Sequence, residues 1–172
     1  MEEYRTFIGI DNGISGGIAC YKPGTNNLVV VPMPIIRTQL KNKKGLKSEY
    51  DIPAVIGLLK QFGRVNITIL EKAQPFPGQG VVSQFSIGRS FGIMEGVLAA
   101  LHLPYQIIHP KTWQKKMFEG IAHDDTKQAS ILVAKRLFPD VIFRASDKAF
   151  KDHNGMTDAA LMAYYGYLIA NK

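Results

Sequence analysis

Three short apolar runs crowd the start of the chain, and their spacing limits the topologies open to it. Thr6 to Ile10 ends at Asp11 and meets Asn12-Gly13, a dipeptide that turns the backbone tightly. Ile18 to Tyr21 and Leu28 to Val31 follow, separated by Pro23-Gly24-Thr25-Asn26-Asn27. Connections this short join antiparallel neighbours, because parallel strands need a long crossover between them. An antiparallel meander is therefore expected.

Further along, the period changes. Asp51 to Phe62 places Ile52, Val55, Ile56 and Leu59 on one helical side, with Pro53 in the first turn. Val65 to Leu70 is a β-branched run ending at Glu71, so a strand, a helix and a strand lay this segment parallel to an earlier one. Gln74-Pro75-Phe76-Pro77-Gly78-Gln79-Gly80 excludes regular structure. A long helix is expected from Val82 to Leu101, and its Gly88, Gly92 and Gly96 leave one face open to close approach, inside the domain or across a dimer seam. Tyr105 to Ile108 supplies a fifth strand, stopped by His109-Pro110. Helices are expected over Thr112 to Phe118, from an Asp124 cap to Leu137, and from about Gly155 to Thr157 through Leu161, Tyr164 and Leu168. The pattern implies one α/β domain over residues 1–172: a five-stranded mixed sheet, meander plus parallel strands, flanked by helices.

Composition bears on partners. The chain has 172 residues, 46% of them hydrophobic, which argues for a packed core over disorder. A net charge of +7 suits a polyanion such as nucleic acid. Pro32 to Ser48 holds Arg37, Lys41, Lys43, Lys44 and Lys47 without an acid, and reads as a basic loop able to meet phosphates. Cys20 is the single cysteine, excluding an internal disulfide and a cysteine zinc site, and its apolar neighbours imply a buried thiol. His102, His109 and His123 lack metal-binding spacing, and Trp113, Tyr164, Tyr165 and Tyr167 read as core or interface. With no leader and no membrane-length apolar run, the expectation is a cytoplasmic protein that is neither secreted nor membrane-bound.

Three acids stand out by position. Asp11 and Glu71 end strands, and Asp158 falls in what reads as the first turn of the last helix. Each has an ordinary explanation alone, a turn aspartate or a helix-dipole partner. Together, at strand ends where α/β sheets bind ligands, they suggest a site in which divalent cations offset converging charge. Two such ions, Mg²⁺ or Mn²⁺ in its place, suit phosphodiester hydrolysis.

The ordered motifs carry a resemblance. Phe7-Ile8-Gly9-Ile10-Asp11-Asn12-Gly13 with Gly16-Gly17, then Leu70-Glu71-Lys72-Ala73-Gln74, resemble the first and second catalytic strands of RuvC-type Holliday junction resolvases, members of the RNase H-like superfamily. Gly88-Arg89-Ser90-Phe91-Gly92, His109-Pro110-Lys111-Thr112-Trp113, Thr126-Lys127-Gln128-Ala129 and Gly155-Met156-Thr157-Asp158-Ala159-Ala160-Leu161 are similar to later segments, in the same order and nearest to phage and organellar members. The resemblance implies a homodimeric, Mg²⁺-dependent endonuclease that nicks four-way DNA junctions symmetrically, in a bacterial or phage-infected cytosol. By position, Asp11, Glu71 and Asp158 would hold metal, while Lys111, Lys127 and the basic loop would meet DNA phosphates. Phe76, between two prolines, would stack on an unpaired base or else fold back onto the core.

One departure matters. The family usually carries an acid or histidine just before the final aspartate, and here Gly155 stands three residues ahead of Asp158. Either His153 or Asp152 substitutes, Asp152 as a metal ligand, or Asn154 stands in place of an original aspartate in an inactivated form. That keeps open a weakened or non-catalytic junction binder, alongside a nuclease for other branched DNA or RNA–DNA hybrids. The opening strand and glycine turn also look like those of sugar kinases and actin, but such proteins need a second half that 172 residues do not supply.

Overall fold

A computed structural model of the chain describes residues 5–25, 27–39, 45–74, 78–122 and 124–171. The meander forms as expected. Strands β1 (Phe7–Asp11), β2 (Gly17–Lys22) and β3 (Asn27–Pro32) pair antiparallel, with Ile10 opposite Ile18 and Ala19 opposite Val30.

The stretch expected as a basic loop is instead largely a hairpin. β4 (Ile35–Gln39) and β5 (Leu46–Tyr50) pair antiparallel, Ile35 opposite Tyr50 and Gln39 opposite Leu46. Neither strand buries a full face, so no apolar alternation marks them, and backbone pairing alone defines the pair. Lys41, Lys43 and Lys44 lie outside the described residues.

Helix α1 (Ile52–Gln61) begins at Asp51, whose Oδ1 accepts the Ala54 N–H at 3.1 Å. It leads to β6 (Ile67–Glu71), parallel to β1 with Leu70 opposite Ile10. Helix α2 (Val81–Ala100) then returns the chain to β7 (Tyr105–Ile108), parallel to β6, completing the order β3-β2-β1-β6-β7. Three helices finish the chain: α3 (Pro110–Met117), α4 (Thr126–Leu137) and α5 (Asn154–Ala170).

Strand alternation sorts side chains into two cores, one on each face of the sheet. Phe7, Ala19, Tyr21 and Ile69 pack with Trp113 and α5, while Ile8, Ile10, Ile18, Cys20 and Leu70 pack with Val55, Leu59, Met94 and Leu98 of α1 and α2. Cys20 is buried, its thiol pushed up to about 11 by burial first. The tyrosines of α5 stack edge-on with Tyr21 and Phe7. The small-residue face of α2 is not used internally, because an added Cβ at Gly88, Gly92 or Gly96 would meet nothing within 4 Å. No described helix is long and apolar enough to cross a membrane.

Candidate active site

Parallel pairing brings two of the acids together. Because Ile10 lies opposite Leu70, the next residue along each strand is Asp11 and Glu71, at the same edge of the sheet. Ile10 and Leu70 point into the α1–α2 core, so alternation turns both acids toward the face that α5 covers. Asn12 Nδ2 donates to the Glu71 carbonyl at 2.5 Å, and the Gly13 N–H donates to Asp11 Oδ1 at 3.1 Å. The Tyr50 hydroxyl also donates to the Asn12 carbonyl, fastening the β4–β5 hairpin to this turn.

The third acid arrives on α5, and bare backbone lets it come close. A Cβ at Gly155 would lie 2.4 Å from the Ser15 carbonyl oxygen, and one at Gly9 would lie 2.0 Å from that of Ala159. The helix therefore rests directly on β1 and on the β1–β2 turn. It starts earlier than the sequence pattern implies: His153 is the N-cap, its Nδ1 accepting the Met156 N–H at 3.2 Å. Asp158 is thus in the second turn of α5, not the first, where the helix dipole has faded.

The three carboxylates are held where ionising is costly. Burial pushes Glu71 up to about 8, with Asp11 and Asp158 adding to the rise and the Trp113 N–H opposing it. Asp158 rises to about 7, again through burial first; the Ser130 hydroxyl and Lys127 pull it down while Asp11 pushes it up. Asp11 is raised by burial, against the Gly13 N–H and the nearby His153. Glu71 ionises after Asp158, and both Asp11 and Asp158 push it up, so their repulsion falls on it. Among the described residues none of the three makes a salt bridge.

Two further side chains orient these acids, and sequence reasoning missed both. Trp113 Nε1 donates to Glu71 Oε2 at 3.1 Å from a fully buried ring. The buried Ser130 hydroxyl donates to Asp158 Oδ1. Each links separate elements, so no local motif announces it.

The remaining candidates fall in different places. Lys111 lines an open cavity of about 430 Å³ together with Asp11, Glu71, Lys72, Gln114 and Thr126, while Asp158 is set back from that wall. Lys127 is close enough to Asp158 to lower it. Lys47 is paired with Glu49 at 3.1 Å, and Glu49 with Arg89 at 2.5 Å, so its charge is already partly met. Asp152 pairs with Lys135 at 2.6 Å, and Asn154 Nδ2 donates to the Lys127 carbonyl at 3.2 Å. His109 caps α3, its Nδ1 accepting the Lys111 N–H. Phe76 and His123 lie outside the described residues.

Hard oxygen donors that repel one another are the donor set Mg²⁺ and Mn²⁺ favour, so the donor chemistry suits a divalent ion. The acids approach one another without meeting: among the described residues, no three Asp, Glu, His or Cys side chains are gathered closely enough to hold an ion.

A mixed sheet in this order, flanked by helices and carrying acids at the ends of two parallel strands, has the RNase H-like fold. The chain matches no protein-family model and no curated protein. Among solved structures, RuvC of Thermus thermophilus superposes with a TM-score of 0.55 at 17% identity, over 96% of this chain and 95% of that one. The T. thermophilus RuvC in complex with a Holliday junction substrate gives 0.55 at 13% identity, over the same 96% and 95%. The yeast mitochondrial Holliday junction resolvase gives 0.47 at 14% identity, over 94% of this chain and 76% of that one. The fold is that of RuvC.

Proposed function

We propose that the chain is a divalent-metal-dependent endonuclease that resolves four-way DNA junctions as a homodimer. The observation that carries this reading is the approach of Asp11, Glu71 and Asp158, from β1, β6 and α5, with Asp11 and Glu71 on one cavity wall, each of the three raised and none salt-bridged among the described residues. Two Mg²⁺ ions held by these carboxylates would supply Lewis-acid activation of water and charge relief at the scissile phosphate. Trp113 and Ser130 fix the rotamers of Glu71 and Asp158. Lys111 on the cavity wall and Lys127 beside Asp158 offer positive charge to the phosphate. His153 caps α5 through Nδ1, which accepts the Met156 N–H, and it is close enough to Asp11 to lower it.

Further features support the substrate and assembly. The matched T. thermophilus RuvC binds a Holliday junction, and the net charge of +7 suits DNA. Val81, Val82 and Phe85 are 82%, 83% and 71% exposed on α2, next to the unpacked glycine face, which supports a helix seam between two copies. Phe76 follows Glu71 closely in the chain and is assigned to base stacking at the junction centre, a contact worth roughly 1–3 kcal/mol.

The test is a synthetic four-way junction, a linear duplex and an RNA–DNA hybrid, each incubated with protein and Mg²⁺. Paired nicks in the junction, lost in EDTA and in Asp158→Asn, are expected. Preferential cutting of the hybrid would overturn the substrate. Junction binding without nicking at high protein would favour the non-catalytic reading.

A further inference from the structure

The loop between α4 and α5 carries a second concave surface, which the carboxylate site does not use. Phe143 anchors it: the ring is buried, and its carbonyl accepts the His153 N–H at 2.6 Å, fastening the loop to the cap of the helix that bears Asp158. Above this anchor lies a cavity of about 320 Å³ lined by Val141, Ile142, Arg144 and Phe150, with the Lys135–Asp152 pair on its wall. Phe150 is 100% exposed and Ile142 64%.

Scattered exposed apolar side chains are ordinary, but two on the rim of one cavity form a patterned surface. The same segment carries Arg144, Lys148 and Lys151, all exposed and making no ion pair among the described residues. The acids of the same loop are Asp140 and Asp147, both exposed, and Asp152, which Lys135 already holds. An aromatic face, an aliphatic wall and unpaired cations match the parts of a nucleotide: a flat base and a phosphate.

Building on the nuclease reading above, we propose that this loop is a nucleotide seat. It takes one unpaired nucleotide from the strand whose phosphate lies at Asp11, Glu71 and Asp158, with the base against Phe150 and Ile142 and the phosphate met by Arg144 and Lys151. Asp152, which lines the seat, directly precedes His153, the cap of the helix that carries Asp158. A branched substrate with a nucleotide free to leave its stack would engage both surfaces, whereas an intact duplex would engage only the first.

Phe150→Trp provides the probe, because the chain's one tryptophan, Trp113, is wholly buried. In EDTA, a single-stranded oligonucleotide and then a four-way junction should quench the added indole while parent emission stays constant. Phe150→Ala should bind the single strand about 5- to 150-fold more weakly, at an unchanged melting temperature because the ring packs on nothing. Absence of quenching by both DNAs, or single-strand affinity equal to the parent's in Phe150→Ala, overturns the seat. So does a loss of dimer in Phe150→Ala on sedimentation, which would assign the patch to a second copy. Quenching by single strands with no junction cleavage by the parent keeps the seat and sinks the resolvase reading. Junction cleavage without quenching does the reverse.

Discussion

Replacing Glu71 by glutamine should stabilise the metal-free protein and, under the proposed function, abolish cleavage, and the gain in stability should grow with pH. Glu71 is lifted from an ordinary 4.5 to about 8, by burial first and then by Asp11 and Asp158. A folded-state value above the unfolded one means that the folded chain holds the proton more tightly. The stability tied to that proton is fully present below about pH 4.5 and is lost as pH climbs through about 8. At about 1.4 kcal/mol for each pH step above the ordinary value, the cost at about pH 7 is about 3 kcal/mol, and solvent reaching the cleft reduces the working figure to about 2 kcal/mol. Glutamine matches the shape, keeps an oxygen for the Trp113 N–H and never ionises. Urea unfolding in EDTA should therefore give equal stabilities for parent and variant near pH 4.5. A gap of about 2 kcal/mol should open by about pH 7. Adding Mg²⁺ near pH 8 should raise the parent far more than the variant, since an ion that binds only the folded site stabilises by mass action. A gap that ignores pH, or a variant less stable than the parent near neutrality, would refute the idea that Glu71 sits among uncompensated carboxylates.

Three other outcomes follow from the same geometry. Trp113→Phe keeps the aromatic bulk but removes the donor to Glu71, so a Mg²⁺ titration of cleavage should shift by about 10- to 100-fold with the circular dichroism spectrum intact. Lys111→Ala should weaken junction binding and lower the slope of log affinity against log salt by about 1, because one phosphate contact is lost. Gly155→Ala would drive a methyl group to 2.4 Å from the Ser15 carbonyl oxygen and should cost about 3 kcal/mol or more in urea unfolding.

The sheet was legible because its strands bury faces. Phe7 to Asp11 and Ile67 to Glu71 write their alternation into sequence as residues that point to one core or the other. The β4–β5 hairpin was not legible, since Arg37, Thr38 and Lys47 show solvent a surface that needs no apolar pattern. Helix starts shifted where an unexpected group took the cap: Asp125 rather than Asp124 for α4, His109 for α3 and His153 for α5. Asp11 and Glu71 could be read as neighbours because parallel strands end at one edge. Ser130 and Trp113 could not, because each touches its carboxylate across elements whose packing only three dimensions reveal.

The glycine ahead of Asp158 decides where a fourth group can come from. Any side chain at Gly155 would strike the Ser15–Gly16 backbone, lift α5 from the sheet and withdraw Asp158 from Asp11. Two of the nearby alternatives are committed elsewhere, Asp152 to Lys135 and the Asn154 amide to the Lys127 carbonyl. His153 remains, with one ring nitrogen on the α5 cap and its charge acting on Asp11, and we propose it as the fourth catalytic group. His153→Asn separates cap from chemistry, because asparagine is a strong N-cap but has no imidazole. The variant should melt with the parent yet cleave junctions about 10²- to 10⁴-fold more slowly, the usual worth of a placed acid or base. Asn154→Asp should leave the rate unchanged or lower it, since a carboxylate cannot donate to the Lys127 carbonyl. A clear acceleration in Asn154→Asp, with His153→Asn as fast as the parent, would move the fourth group to residue 154 and mark the present asparagine as the reason for a slow enzyme.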